Sequence, residues 1–564
     1  MSHRIPFQAL TLLRFFSLDR MNVSKLVVYA AAGGTIYYLW KFLKFFTRPY
    51  FSPLRRIRCV PRSSVLLGSI RDFNRLEDST LHEDWSREFG TAFRLKMFMN
   101  SECLVVMDPR ALNHMFTHST DYPKLDESIR ALTKLLGAGI LVTEGEKHRQ
   151  QRRVMNPSFG PPSVRDLTPA MFEKTTQLRD IWLEQANADG KPVRIEVLSW
   201  LGRTTLDIIG VAGFNYEFNA LNVNEKPNEL NEAFSTIFNM DSNITIGMII
   251  QEVVPFLRDL PTKRNRAVAA AMKTMRRVGN ELVQERKHHF LEKEKDAFTD
   301  DSEDLHHKDL LSALIKANMD PSIPESQRMT DEEVLSQIPT FLVAGHETSS
   351  TQTTWTLFEL AQNPKIQIRL REELLSVPTD TPSMDEVQAL PYLDAVLRES
   401  LRLHGAVPAT SRKAAKDDII PLGEPIVDMS GNTISEICVK KGDVFVIPIT
   451  AVNRMTSLWG PDAEEFNPDR WDNVPESATA IPSVFANVLS FLAGARGCIG
   501  YRFAVVEMKA ILFSLIRSFE FELAIPADEF TKRSMVVTRP YLKSEQNGRA
   551  QMPLLVKPYI PSNL

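Results

Sequence analysis

Residues 491–500 read FLAGARGCIG and place one cysteine, Cys498, among three glycines just before a predicted helix. The apolar positions that predict the helix are Phe503, Val506, Ala510 and Phe513. Free backbone N–H groups and the dipole at a helix start stabilise a thiolate. The glycines permit a tight turn and the close approach of a bulky group, and Arg496 offers it a positive charge. The segment therefore predicts a thiolate cradle beside a large anionic ligand, with a buried structural cysteine as the alternative.

The composition of the 564 residues is that of a globular protein, with 43% hydrophobic and 24% charged residues. The net charge of −3 shows no basic excess, so we expect no nucleic-acid partner. The four cysteines lie far apart without a CxxC pair, which argues against a disulfide framework and a structural zinc site. Helical patterns dominate residues 150–415 and alternating patterns come after them, so the chain is predicted to be mainly α with a minor β part.

An apolar run near the N-terminus predicts a membrane anchor over residues 21–46. Residues 26–40 carry no charge, and the extension to residue 46 gives about 20 residues, enough to cross a bilayer. The flank after residue 46 is rich in arginine, so the remainder of the chain is expected to face the cytosol. A buried core helix and a cleaved signal peptide remain the alternatives.

The rest of the chain divides into a short basic segment and one large domain. Residues 1–20 are a leader of uncertain status, because Met21 is a natural start. Residues 47–62 resemble a stiff, basic, proline-containing linker. Residues 63–564 are predicted to form one domain, which begins with a hairpin and a helix capped by Asp108, and residues 292–309 are predicted to be a solvated loop.

A long helix is predicted over residues 330–362. Thr330 and Glu333 form a capping box, and the pair Asn363-Pro364 ends the helix. Its middle, AGHETSSTQTT, contains a glycine and many hydroxyl side chains, which are poor helix formers. This composition indicates a functional use, with a solvated polar face as the alternative.

These two segments resemble the motifs of the cytochrome P450 family of haem-thiolate enzymes, in its microsomal fungal form. The first matches the haem-binding signature F-x-x-G-x-R-x-C-x-G at Phe491, Gly494, Arg496, Cys498 and Gly500. The resemblance implies the cytochrome P450 fold for the catalytic domain. It also implies haem b as cofactor, with the thiolate of Cys498 as the axial ligand of the iron.

The second segment resembles the family's oxygen-binding motif A-G-x-[DE]-T-[ST]. The matching residues are Ala344, Gly345, Glu347, Thr348 and Ser349. The resemblance implies that Gly345 loosens the helix over the iron and that Thr348 hydrogen-bonds to dioxygen. It implies that Glu347 helps to relay protons through water.

The pair Glu399 and Arg402 has two interpretations. Apolar residues define the other face of their helix, so periodicity predicts an exposed ion pair. The resemblance instead implies the family's buried E-x-x-R pair, completed by Arg470 in the later segment FNPDRW. A buried triad would be a folding element, because removal of one member leaves an unpaired charge.

Further basic residues match the family's contacts with the haem propionates. They are His148, which stands where the family usually has tryptophan, Arg152 and Arg412. The alternative for the segment HRQQRR is a solvated basic face, part of which could meet an acidic redox partner.

The resemblance implies a monooxygenase that uses dioxygen and two electrons. No dinucleotide fingerprint or flavin domain is visible, so electrons are expected from NADPH through a separate membrane-bound reductase. The expected location is the endoplasmic reticulum membrane, and the expected substrate is an apolar small molecule, with a terpenoid favoured. The alternatives are a haem-thiolate isomerase or dehydratase, against which Glu347 and Thr348 argue, and a haem sensor or carrier without turnover.

Overall fold

The computed structural model describes most of the chain beyond residue 50. The described stretches are 51–64, 68–69, 78–98, 101–186, 191–224, 262–293, 309–319, 321–534, 536–545 and 548–560, with isolated residues at 29–50 and 229–233. The predicted leader lies outside them, as do most of the predicted anchor over 21–46 and most of the predicted loop over 292–309. In this described part of the chain, we find no helix with the length and apolar character that a bilayer crossing requires.

The described part of the chain is mostly helical, with a smaller share of strands, as predicted. The helices are α1 (Asp78–Phe89), α2 (Pro109–Thr117), α3 (Asp126–Leu136), α4 (Gly145–Met155), α5 (Pro161–Ala186), α6 (Val197–Phe214), α7 (Lys263–Lys293), α8 (Leu310–Met319), α9 (Asp331–Gln362), α10 (Pro364–Leu375), α11 (Met384–Gln388), α12 (Pro391–Leu403), α13 (Ile449–Val452), α14 (Thr456–Trp459), α15 (Glu476–Thr479) and α16 (Tyr501–Ser518). The strands are β1 (Ala92–Lys96), β2 (Glu102–Val106), β3 (Val193–Glu196), β4 (Thr410–Lys413), β5 (Asp418–Val427), β6 (Thr433–Val439), β7 (Val444–Ile447), β8 (Phe519–Leu523), β9 (Phe530–Ser534), β10 (Thr538–Leu542) and β11 (Pro553–Pro558).

Helix α9 runs through the interior and carries the predicted oxygen-side motif. The Thr330 hydroxyl accepts from the Glu333 N–H, and the Glu333 carboxylate accepts from the Thr330 N–H, so the predicted capping box is confirmed. The helix ends at Asn363, as predicted. Its 32 residues span about 48 Å. It packs along α6 and against α12 and α16, which places the motif between several helices.

Helix α16 begins three residues after Cys498 and is buried along most of its length. The four apolar positions that predicted it are all buried: Phe503, Val506, Ala510 and Phe513. The helix packs against α5, α9, α10 and α12. Because it is surrounded on several sides, it holds the loop that carries Cys498 against the core.

The strands form a four-stranded sheet in the order β1-β2-β7-β4, a three-stranded sheet in the order β3-β11-β8, and two hairpins, β5-β6 and β9-β10. The predicted hairpin near residue 100 is confirmed, because β1 and β2 pair antiparallel from Ala92 opposite Val106 to Lys96 opposite Glu102. Asp108 caps α2 as predicted, accepting from the Ala111 N–H at 3.0 Å.

The predicted linker over residues 47–62 requires correction. The part from residue 53 onward begins with a 3-10 helix, Pro53–Arg56, and buries the side chains of Leu54, Ile57 and Val60. The Val60 N–H donates to the carbonyl of Arg94 at 3.0 Å, which attaches the segment to β1. This part therefore belongs to the domain, because Leu54, Ile57 and Val60 lie three residues apart and pack inward between the arginines.

Candidate active site

The loop before Cys498 is shaped by contacts within the protein. The Cys498 N–H donates to the carbonyl of Phe491 at 2.8 Å. Gly494 has φ +64°, and a Cβ there would lie 2.6 Å from the carbonyl oxygen of Phe116. A Cβ on Gly497 would lie 2.7 Å from Cγ1 of Val484. These two glycines therefore allow the loop to pack closely against Phe116 and Val484, in addition to the tight turn that was predicted.

The thiol of Cys498 lies deep in the protein and is nevertheless accessible to solvent. Burial raises its pKa, while the backbone N–H of Gly500 and the positive charge of Arg152 act in the opposite direction. Desolvation thus outweighs the helix-start effect that the sequence predicted. Coordination of a metal would remove the proton outright. A deep but accessible thiol is expected in the wall of an internal cavity.

Phe491 and Gly500 complete the immediate surroundings of the loop. The Phe491 ring lies 5.8 Å from the Phe485 ring and 6.1 Å from the Tyr501 ring, so it supports the loop through aromatic packing. A Cβ on Gly500 would make an ordinary contact, 3.6 Å from the ring of Phe159.

A buried group of basic residues lies beside this loop. Its members influence one another electrostatically, and the Glu144 carboxylate acts on three of them, Lys124, Arg412 and Arg496; the members are Lys124, His148, Arg152, Arg412 and Arg496. Burial, together with the neighbouring cations, lowers the pKa of Lys124 to about 7 and that of His148 to about 3. Positive charge therefore exceeds negative charge in this group, which suits an anionic ligand.

The guanidinium groups of this cluster have distinct partners. Arg496 pairs with Glu144 and donates to the Thr143 carbonyl at 2.7 Å. Arg152 donates to the carbonyls of Gly497 at 2.6 Å and Ala495 at 3.2 Å, so it supports the cysteine loop.

Arg412 on β4 has N–H groups that lack a hydrogen-bond acceptor among the described residues. Its Nη1 donates to Thr410 Oγ1 at 2.7 Å and to the Ser411 carbonyl at 2.8 Å. Burial lowers the pKa of Arg412 to about 10. Within the part of the chain that the structure describes, its Nε and Nη2 donate to no side chain or carbonyl. A buried arginine with free donors fits a ligand carboxylate, which arginine binds in a bidentate manner.

The middle of α9 has an accessible face between buried ends. Ala344 is exposed, although Phe341 and Leu342 before it and Ser349 after it are buried. A Cβ on Gly345 would lie 3.1 Å from Ile209, so this glycine permits close packing of α6. The Thr348 hydroxyl donates to the Ala344 carbonyl at 2.5 Å. This accessible face, like the Cys498 thiol, is expected to border the internal cavity.

Glu347 has a partner that was not predicted from the sequence. Its Oε2 accepts from Nε of Arg539 at 3.1 Å and from Nη2 at 2.5 Å. Its Oε1 lies 3.7 Å from Nδ1 of His346. Arg539 belongs to β10, 192 residues along the chain, and nothing in the sequence around it indicates this pairing.

The hydroxyl residues that follow Thr348 are buried, so the interpretation as a solvated face is wrong. Ser350, Thr353 and Thr354 are at most 2% exposed. Each donates to the carbonyl four residues earlier, at 2.8–2.9 Å. Short hydroxyl side chains can be buried in a helix because their hydrogen bonds are satisfied by its own backbone.

The pair Glu399 and Arg402 is fully buried, so the interpretation as an exposed ion pair is wrong. Two parallel hydrogen bonds of 2.8 and 2.9 Å join the side chains. Arg470 approaches the same carboxylate at 3.3 Å and also binds Asp462. The structure thus brings the three predicted members of the triad together. Periodicity gave the wrong prediction because it considers one helix alone. In the folded protein, the segment around residues 453–470 packs over the polar face of α12 and buries the pair.

Comparison with known proteins identifies the fold. The family model described as Cytochrome P450 matches residues 60–543. The chain belongs to the cytochrome P450 family. Cytochrome P450 monooxygenase 205 of Postia placenta is 47% identical over 92% of this chain and 96% of its own length. Cytochrome P450 monooxygenase 128 of the same fungus is 46% identical over 94% of this chain and 98% of its own length. Cytochrome P450 monooxygenase claW of Ampulloclitocybe clavipes is 33% identical over 88% of this chain and 91% of its own length.

As a member of this family, the protein is a cytochrome P450 monooxygenase with haem b as cofactor and an axial cysteine thiolate. The residues around Cys498 fit that cofactor on three observations. The thiol is deep but accessible, basic side chains outnumber carboxylates beside it, and Nε and Nη2 of Arg412 have no acceptor among the described residues. Lys124 was not predicted to be a member of this group, and it joins the group because the chain before α3 returns to the cysteine loop.

Proposed function

We propose that this cytochrome P450 inserts one atom of dioxygen into an apolar small molecule, for which a terpenoid is favoured. Electrons come from NADPH through a separate reductase. The observation that carries the proposal is the accessible middle of α9, where Thr348 and Glu347 follow the exposed residue Ala344. A haem-thiolate isomerase has no need of a proton relay to dioxygen. When bound, haem b activates dioxygen, and the axial thiolate favours cleavage of the O–O bond.

The basic cluster is proposed to hold the cofactor. Arg412 would bind a propionate with the N–H groups that have no described acceptor, and Lys124 and His148 would lie beside it as a cation and a hydrogen-bond donor. Arg496 and Arg152 act indirectly, since their described hydrogen bonds go to Glu144 and to loop carbonyls. These two arginines hold the loop in the shape that presents Cys498.

The proton relay is proposed to use Thr348 and Glu347. The Thr348 hydroxyl donates to the Ala344 carbonyl, and its oxygen can still accept a hydrogen bond from water. Arg539 holds Oε2 of Glu347, which leaves Oε1 to exchange protons with water. Two protons and two electrons are consumed for each dioxygen, and one oxygen atom leaves as water.

Thr348→Ala is expected to uncouple the enzyme. With reductase, NADPH and a converted substrate, NADPH oxidation continues, product formation falls by a factor on the order of 10², and peroxide rises, because the group that directs the protons is gone. Product, peroxide and NADPH are measured in the same reaction. The matched control is Thr354→Ala, which removes a buried hydroxyl whose one hydrogen bond among the described residues goes to the Ser350 carbonyl on the same helix.

Full coupling in Thr348→Ala contradicts the relay. Conversion of substrate without NADPH or reductase contradicts the monooxygenase route and favours an isomerase or dehydratase. Haem binding without NADPH use by any apolar compound in a broad screen favours a sensor or carrier.

We infer that residues 21–46 anchor the protein in the endoplasmic reticulum membrane, with the domain facing the cytosol. The support is the uncharged run of residues 26–40 and the arginine-rich flank. A chain that starts at residue 47 keeps the packed segment from Leu54 to Val60, so the domain remains complete. This truncation is expected to move the protein from the membrane fraction to the soluble fraction with its haem spectrum unchanged. Complete retention in the membrane fraction contradicts the anchor.

A further inference from the structure

Glu507 lies in the middle of α16 and is fully buried. Neither carboxylate oxygen forms a hydrogen bond within the described part of the chain. Its neighbour on the same helix, Lys509, differs because it pairs with Asp394 at 2.7 Å. The proposed proton relay makes no use of Glu507, so its burial requires an explanation.

The surroundings of Glu507 are polar but contribute no hydrogen bond to it. Ser349 of α9 lies close enough to influence its pKa, yet it does not reach hydrogen-bonding geometry. The Ser349 hydroxyl, the Gln352 Oε1 and the Ser514 hydroxyl are also buried and lack partners among the described residues. Ser514 follows Glu507 by two helical turns, and Gln352 follows Ser349 by one, so each pair shares a helix face.

Glu507 and Ser349 lie where α16 meets α9, and Gln352 extends this polar seam toward α12. On the α12 side the polar groups have hydrogen-bond partners. The Ser400 hydroxyl accepts from Gln352 Nε2 at 3.0 Å and lies 2.7 Å from the Thr356 hydroxyl. On the α16 side the polar atoms have no partners among the described residues. Buried polar groups of this kind are commonly bridged by ordered water, which makes about three hydrogen bonds.

An ionised carboxylate in this position is disfavoured. A buried charge without a partner costs several kcal/mol, and a carboxyl group avoids that cost by keeping its proton. Burial raises the pKa of Glu507 to about 8, while the Ser349 hydroxyl acts in the opposite direction. A protonated carboxyl can donate one hydrogen bond and accept others, which suits bridging water.

We propose that Glu507 is a neutral carboxylic acid that is joined to Ser349 through ordered water and so positions Thr348. Successive residues of a helix are 100° apart, so Glu347 and Ser349 face nearly opposite directions with Thr348 between them. Arg539 of β10 fixes the Glu347 side. Glu507 of α16 fixes the Ser349 side, and the two contacts together set the rotation of α9 at Thr348.

Infrared spectroscopy of the holoenzyme tests the protonation state. The wild type is expected to show the carbonyl stretch of a protonated carboxylic acid that Glu507→Gln removes. Ser349→Ala should keep this band and shift its frequency, because the hydrogen bonding of the acid changes. The matched control is Glu522→Gln, which alters an exposed glutamate of β8 and should leave the band intact. An unchanged spectrum in Glu507→Gln overturns the proposal.

The positioning role, which depends on the proposed function of Thr348, is tested by coupling. Glu507→Leu removes the polar group at similar volume and is expected to raise the share of electrons lost to peroxide severalfold. Glu507→Gln should restore much of the coupling, because the amide is neutral and can still bind water. Equal coupling in Glu507→Leu and wild type overturns the positioning role. If Thr348→Ala stays coupled, the relay fails, whereas the neutral state of Glu507 is judged by the infrared band alone.

Discussion

Cys498→His is expected to abolish the strongly red-shifted Soret band of the reduced carbon monoxide complex. That band requires a thiolate on the iron, and a histidine ligand lacks the negative charge that thiolate donates to it. The loop is expected to survive the change, because it is held by the backbone hydrogen bond to Phe491 and by Arg152, not by the thiol. The measurement is the carbon monoxide difference spectrum of purified protein, with haem content determined separately.

The matched control is Cys438→Ser, which changes an exposed free cysteine of β6 and should leave the band intact. Turnover should be lost together with the band, because the axial thiolate promotes O–O cleavage. A red-shifted band that persists in Cys498→His would show that another residue is the ligand. Haem bound to the wild type without the band would mean that the thiol stays protonated, and the sensor or carrier would then be favoured.

Glu399→Ala is expected to lower the free energy of unfolding by about 3–5 kcal/mol. The reason is that Arg402, which is fully buried, keeps its charge and loses both hydrogen bonds to the carboxylate. Arg470 loses one of its two acidic partners as well. The measurement is urea unfolding of the purified protein, followed by circular dichroism and by release of haem.

Two further variants distinguish the loss of the Glu399 charge from a nonspecific effect of substitution on stability. Glu372→Ala removes an exposed glutamate of α10 and is expected to leave the unfolding free energy nearly unchanged. Glu399→Gln keeps the shape but not the charge, so it should be destabilised as well, which tests whether the negative charge is what Arg402 requires. A loss below about 1 kcal/mol in Glu399→Ala would mean that the pair behaves like a surface ion pair.

Features that depend on neighbours in the sequence were predictable. The position of α16 followed from apolar spacing after Cys498, the start of α9 from the box of Thr330 and Glu333, and the hairpin β1-β2 from alternation. Each of these depends on backbone conformation within a few residues, which local side chains control directly. The motif around Cys498 also identified the family, because five fixed positions in ten residues are specific.

What the tertiary structure alone decided is which polar groups are buried and with which partners. Periodicity placed Glu399 and Arg402 on a solvated face, and only the packing of the segment that carries Arg470 buries them. The contact between Glu347 and Arg539 joins residues 192 apart.

The basic cluster around Arg496 and the buried carboxyl of Glu507 also arise from contacts between distant parts of the chain. Lys124 and Glu144 lie far from the cysteine loop in the chain, and Glu144 and Arg496 are 352 positions apart. Glu507 meets Ser349 because α9 and α16 pack together. Desolvation depends on everything that surrounds a group, so neither its pKa nor its role can be obtained from spacing. The sequence by itself therefore determined the family and the long helices and predicted Cys498 as the thiolate ligand, whereas the three-dimensional packing determined the charges and contacts that surround that cysteine.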